Sequence, residues 1–271
     1  MQNFTKLLAF LLWAWVGTAA FAAINGPTGL ALDSNGNLYV ANFNSNQILV
    51  FSPQHSLISS KTVTQGVSGP TAVAIDPMGN LWVANFSSSS ITGYTPTKQP
   101  LTPIADGVSN PTAMAIDGAG NYWVVNAASS FAIYDAFGDP IRSAGAGIMY
   151  GSPTTIYSIA AFDGSIAFGN NAQVFQLLET VYLATNTPSG DVLALGHEGV
   201  AISFDRSTGF LWEAESDGSV YVRGVSGILT LRYRPSAMVL DSARKLVYFA
   251  NDHGNTVDVY TTKGGYVTTI H

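Results

Sequence analysis

The 271 residues predict an all-β fold, a six-bladed β-propeller of four-stranded antiparallel blades, on three observations. A unit of about 42 residues recurs along the chain, each unit sets small residues in one strand and an aromatic in the next, and only 10% of residues are charged. That period, with short strands in each unit, lies in the range of propeller blades. So low a charge content, with 27 glycines, argues against long solvent-facing helices.

The repeat is plainest in three segments, residues 26–53, 69–96 and 110–138, which open GPTGLALDSNGNLYVAN, GPTAVAIDPMGNLWVAN and NPTAMAIDGAGNYWVVN. Each has Pro-Thr, an apolar strand closing on Asp, a Gly-Asn turn, a second strand ending in Asn, a polar loop and a third strand. Looser copies follow, so blades are expected to start near residues 26, 69, 110, 152, 199 and 234. The first-strand aspartates Asp33, Asp76, Asp117, Asp163, Asp205 and Asp241 are spaced by 43, 41, 46, 42 and 36 residues.

Leu30-Ala31-Leu32 and Leu38-Tyr39-Val40 are nearly continuous apolar runs, as strands covered on both faces must be. Ala31, Ala74, Ala115 and Ala201 recur in the first strand, where blades converge on the axis and side chains must be small. Tyr39, Trp82, Trp123 and Phe210 are expected in the second, where the gap between blades widens. In Asp-x-x-Gly-Asn the carboxylate is expected to accept backbone N–H groups, while Gly36, Gly79 and Gly120 supply the positive φ of a tight turn. A calcium-loop reading of the same residues fails, because the rest of the twelve-residue loop and its closing Glu are missing.

Residues 1–22 read as a signal peptide: one cation (Lys6), an apolar run from Leu7 to Val16, and Ala20-Phe21-Ala22 as the small-x-small cleavage pattern. The apolar run is short for a membrane span. Cleavage after Ala22 leaves residues 23–271 as one propeller domain with 10 Lys and Arg against 17 Asp and Glu. That balance argues against nucleic acid as a partner. The mature chain is expected to be secreted or periplasmic, monomeric and without a membrane span. With no cysteine, its stability owes nothing to disulfides. Blade one opens with its own first strand and blade six ends with its own outer strand, Tyr266 to Ile270. Closure is therefore expected to rest on side-chain packing rather than on a shared ladder.

The Pro-Thr start, the Gly-Asn turn and the aromatic-Val-Ala strand ending in Asn resemble the NHL and virginiamycin-B-lyase-like repeats, strongly over residues 26–138 and loosely over 152–271. The resemblance implies a site on the rim formed by the second-to-third-strand loops and the links between blades. Those loops are expected at residues 42–47, 85–90, 126–131, 169–172, 213–219 and 251–256. The binding candidates are Asn42, Asn85, Asn126 and Asn251, with the charged Glu213, Glu215 and Asp252. The asparagines either ring a cation, as ligands do in gluconolactonase-like propellers, or cap their own loops. Amides alone are weak calcium ligands. Virginiamycin-B-lyase-like enzymes use two histidines with a Glu-x-His pair and magnesium. This chain has His197-Glu198 and Asp252-His253 instead, so His197, Glu198 and His253 are the acid–base candidates.

No cysteine, Gly-x-Ser-x-Gly or phosphate-binding loop marks a nucleophile or nucleotide site. The expected function is an exported binding or scaffold module with no cofactor and no defined catalysis, presenting its rim to a protein, peptide or glycan. The alternative is a divalent-cation-dependent lactonase or lyase at the channel mouth. Asn85-Phe86-Ser87 also forms a glycosylation sequon.

Overall fold

Pro-Thr at one end and an Asp turn at the other bound the innermost strands of the first three sheets, and antiparallel hairpins build each sheet outward. The computed structural model describes residues 23–127, 130–145, 155–162, 164–170, 174–178, 192–193, 199–222 and 225–271. Residues 1–22, Asp163, His197 and Glu198 lie outside the described residues.

Six antiparallel sheets form among them. Sheet one holds β1 (Pro27–Leu32), β2 (Leu38–Asn42) and β3 (Gln47–Phe51), and sheet two holds β4 (Pro70–Ile75), β5 (Leu81–Asn85) and β6 (Ser90–Tyr94). Sheet three holds β7 (Pro111–Ile116), β8 (Tyr122–Asn126), β9 (Ser130–Tyr134) and β10 (Pro140–Gly145). Sheet four holds β11 (Ile156–Phe162), β12 (Ser165–Asn170), β13 (Val174–Leu178) and β14 (Val192–Leu193). Sheet five holds β15 (Gly199–Phe204), β16 (Leu211–Glu215), β17 (Ser219–Val222) and β18 (Val225–Thr230), and sheet six holds β19 (Ala237–Asp241), β20 (Leu246–Asn251), β21 (Thr256–Thr261) and β22 (Tyr266–Ile270). The innermost strands pack in chain order, β1 on β4, β7, β11, β15 and β19 in turn, and β19 packs back on β1. The chain is an all-β propeller.

Two details differ from expectation. Sheets one and two have three strands, not four. Their outer flanks are irregular segments that pair with β3 and β6 through isolated bridges, such as Ile48 to Val63 and Ile91 to Ile104, and form no continuous ladder. Pro96, Pro100 and Pro103 in the second segment lack the N–H that a ladder needs. The second difference is in sheet five, where the buried second-strand aromatic is Trp212, while Phe210 lies before β16 and is 50% exposed. The turn after Asp205 is one residue longer than those after Asp76 and Asp117, which shifts the phase by one.

Each seam between sheets is an apolar cluster. Ala31, Tyr39, Ala41, Ile48 and Val50 meet Val73, Leu81 and Val83 between sheets one and two. The closing seam has the same make-up, with Ile24, Leu30, Val40 and Leu49 against Tyr248, Val257, Val259 and Ile270. Among the described residues no strand of one end completes the other end's sheet, so closure rests on packing as expected.

Polar ties add direction to that packing. Thr28 Oγ1 donates to the Pro70 carbonyl (2.7 Å), Thr71 Oγ1 to Pro111 (2.6 Å) and Ser236 Oγ to Pro27 (2.5 Å), each reaching the next sheet around the ring. A second tie repeats beside it. The left-handed loop residues Asn46, Ser89 and Asn255 accept the backbone N–H of Gly69 (2.6 Å), Asn110 (3.0 Å) and Gly26 (2.7 Å). Residue 26 follows residue 255 by the same geometry with which 69 follows 46.

Candidate functional site

The two ends of the ring are chemically different. At the hairpin end the Asp turns are self-contained. Asp76 Oδ1 accepts the N–H of Met78 (2.9 Å) and Asn80 (2.8 Å), and its Oδ2 accepts Asn80 Nδ2 (2.8 Å) and Trp82 Nε1 (3.0 Å). Asp117 repeats the pattern with Ala119, Asn121 and Trp123. Every carboxylate oxygen of these two turns is thus engaged by the turn's own donors, so the metal reading of the motif finds no free ligand there. A central cavity of about 590 Å³ is lined by the inner strands and by these hairpins, with Asp33, Ser34, Arg206 and Arg244 at its mouth. The sequence reading looked to the opposite rim, where the central space is smaller, about 90 Å³ between Thr28, Thr71, Thr112, Tyr157 and Ser236.

At the rim the strand-end asparagines are structural. Asn42, Asn85 and Asn126 are buried. Their Oδ1 atoms accept the backbone N–H of Asn25 (3.2 Å), Ser68 (2.9 Å) and Ser109 (3.0 Å), each 17 residues upstream. Their amide nitrogens donate to Ala23, to Val83 and Thr92, and to Gly107 and Ser130. Of the two alternatives, capping is what the geometry supports, and these three are corrected from binding groups to loop anchors. Asn251 is half-buried and accepts the Gly254 N–H at 2.8 Å. Because the Asn85 amide is buried and hydrogen-bonded, its sequon is closed to modification in the folded chain.

Glu213 and Glu215 were expected in a rim loop. Both lie inside β16, which begins at Leu211 and buries Trp212 in place of Phe210, and they are 3% and 1% exposed. Burial, and then the nearby charge of Glu215, push the Glu213 carboxyl up to about 8. Asp252 and His253 do lie in the expected β20–β21 loop. His253 Nδ1 stands 2.9 Å from Asp252 Oδ1, and the imidazole is 92% exposed. His55, in an outer turn, packs edge-on against Tyr248, and burial lowers its affinity for a proton. The structure therefore separates His253 from both glutamates in burial. Among the described residues, no group of three or more His, Asp or Glu side chains converges.

Two rim contacts emerge only in the structure. Arg234 lies over the Tyr157 ring, 5.1 Å from its centroid, across the mouth from sheet six to sheet four. Phe43 and Phe86, at matching loop positions, are half-buried with centroids 6.5 Å apart. The signal for the second pair was their identical place after the strand-end Asn.

Residues 25–51 match the NHL repeat family. No curated protein matches the sequence. Among solved structures, virginiamycin B lyase from Staphylococcus aureus superposes with a TM-score of 0.62 at 15% identity, covering 89% of this chain and 82% of that one. A streptogramin B lyase gives 0.64 at 14% identity over 92% and 84%. Kuenenia stuttgartiensis hydrazine synthase gives 0.62 at 16% over 87% and 83%. With its ring of antiparallel sheets and these neighbours, the chain is a β-propeller of the fold shared by the virginiamycin B and streptogramin B lyases, and its first sheet matches the NHL repeat.

Proposed function

We propose that the mature chain is an exported, monomeric, non-enzymatic binding module that needs no cofactor and offers the rim of sheets one and two to a protein, peptide or glycan. The supporting observation is a division of labour at that rim. Asn42 and Asn85 serve the protein's own loops, whereas Phe43 and Phe86 stand at the surface beside the exposed Asn44, Ser87 and Ser88. Aromatic faces flanked by short uncharged amides and hydroxyls suit non-covalent recognition. Tagged wild type and the double variant Phe43→Ser/Phe86→Ser, both with the β-rich circular dichroism of the wild type, test this on an envelope extract of the source cell. Loss of the captured partner by the variant is expected, and equal capture by both would exclude the rim. Export follows from residues 1–22, and N-terminal sequencing of exported protein should begin at Ala23.

A second reading, a divalent-cation-dependent lyase or lactonase, draws on the Asp252-oriented imidazole of His253 and on the likeness to two lyases. Incubation with a streptogramin B and Mg²⁺ tests it. Turnover that disappears in His253→Ala would replace the binding-module reading.

A further inference from the structure

The seam between sheets four and five is unlike the others described. Leu211 packs there with Ala167, Ile202 and Phe204, so the alternate residues Glu213 and Glu215 face sheet four as well. From the opposite side Ala160, Phe162 and Ala167 meet Leu211, Ile202 and Phe204, and by the same alternation Ser158 and Gly169 lie on the face of sheet four turned to the seam. Glu213 occupies the register that Val40, Val83 and Val124 fill in sheets one to three, and Glu215 that of the loop-anchoring asparagines. The half of the seam near the hairpins is apolar, and the half near the rim is polar.

Three observations mark that polar half as built for a guest. Glu213 Oε1 is sealed from solvent and has no hydrogen-bond partner. Ser158 Oγ, on the facing strand, is sealed and unpartnered too. At Gly169 the strands approach closely: a Cβ would stand 2.4 Å from both Ser158 Oγ and the Gly199 carbonyl oxygen, so the missing side chain lets this hydroxyl and this carbonyl come together, and Gly199 is the register partner of Glu215. A buried carboxylate oxygen without a donor is strongly disfavoured unless a proton or a cation meets it. Two carboxylates, a hydroxyl and a carbonyl are hard oxygen donors, the set that Ca²⁺ and Mg²⁺ take, and a divalent charge cancels the pair.

We propose that this seam holds a divalent hard cation on Glu213, Glu215, Ser158 and the Gly199 carbonyl, clamping sheet five to sheet four. Thermal unfolding of EDTA-dialysed protein, with and without millimolar Ca²⁺ or Mg²⁺, tests it without any substrate. The wild-type midpoint is expected to rise by about 5 °C with one of the ions. Glu213→Gln should abolish the rise, and so should Glu213→Val, which restores the residue found at this register elsewhere and guards against a variant that fails to fold. An unmoved wild-type midpoint, or an equal rise in Glu213→Val, would overturn the proposal. Neither Phe43 nor Phe86 takes part, so this failure leaves the rim reading standing.

Discussion

At the scale of single residues, identical backbone positions carry opposite chemistry. Val83 is wholly buried in a seam, and its counterpart Glu213 puts a carboxyl into the same kind of place. In the cation-free protein that carboxyl holds its proton up to about pH 8, against a usual value of 4.5 in the unfolded chain. Between those limits the unfolded state gives up the proton and the folded state keeps it, so stability falls as pH rises and levels off above the upper limit. Urea unfolding of EDTA-treated protein should therefore show a loss on the order of 3 kcal/mol from pH 5 to pH 8. Glu213→Gln should remove that slope, and a wild type equally stable at both values would contradict the account.

At the scale of the element, register decides what each strand can carry. Trp82 on β5 pairs with Gly93 on β6, and a Cβ at residue 93 would lie 2.6 Å from the indole ring. Backbone and aromatic are thus fitted to one another, with the indole N–H already committed to Asp76. Gly93→Ala should push the ring off its carboxylate and cost about 1–3 kcal/mol, read as a lower unfolding midpoint together with a changed tryptophan fluorescence. An unaltered spectrum would mean that the ring has room to spare. Strand-three tyrosines do a related job for the irregular outer segments. Tyr94 and Tyr134 donate to the carbonyls of Gln65 and Asp106, both at 2.5 Å, holding the links that lead into sheets two and three.

At the scale of the whole molecule, the ring closes with the same parts that join its neighbouring sheets. Ser236 to Pro27 stands where Thr71 to Pro111 stands, and Asn255 holds Gly26 as Asn46 holds Gly69. Arg244 adds one contact of its own, bonding Asp241 at 2.8 Å and the Asn35 carbonyl at 3.2 Å across the closing seam. If closure is equivalent to any other seam, Ser236→Ala and Thr71→Ala should lower stability alike, by about 1 kcal/mol each. That corresponds to roughly 2–4 °C in a thermal melt for a chain of this size. A much larger loss in Ser236→Ala would show that the ends are the weak joint.

By itself the sequence determined the repeat, the all-β class, the small-to-aromatic gradient and the self-closed Asp turns, because all of these are local: a turn needs its Asp, Gly and Asn within five residues. It also placed Asp252 and His253 in their loop correctly. Only the tertiary structure decided which polar residues face water. Asn42, Asn85 and Asn126 look like a ring of ligands in the repeat, yet each faces inward to a backbone N–H 17 residues away. Glu213 and Glu215 looked like loop charges, but the buried aromatic of the second strand is Trp212, two residues beyond Phe210, and both glutamates fall inside β16. A strand covered on both faces reads as a continuous apolar run with no alternation to fix where it begins and ends, so only the packing of Leu211 and Trp212 sets the phase of β16.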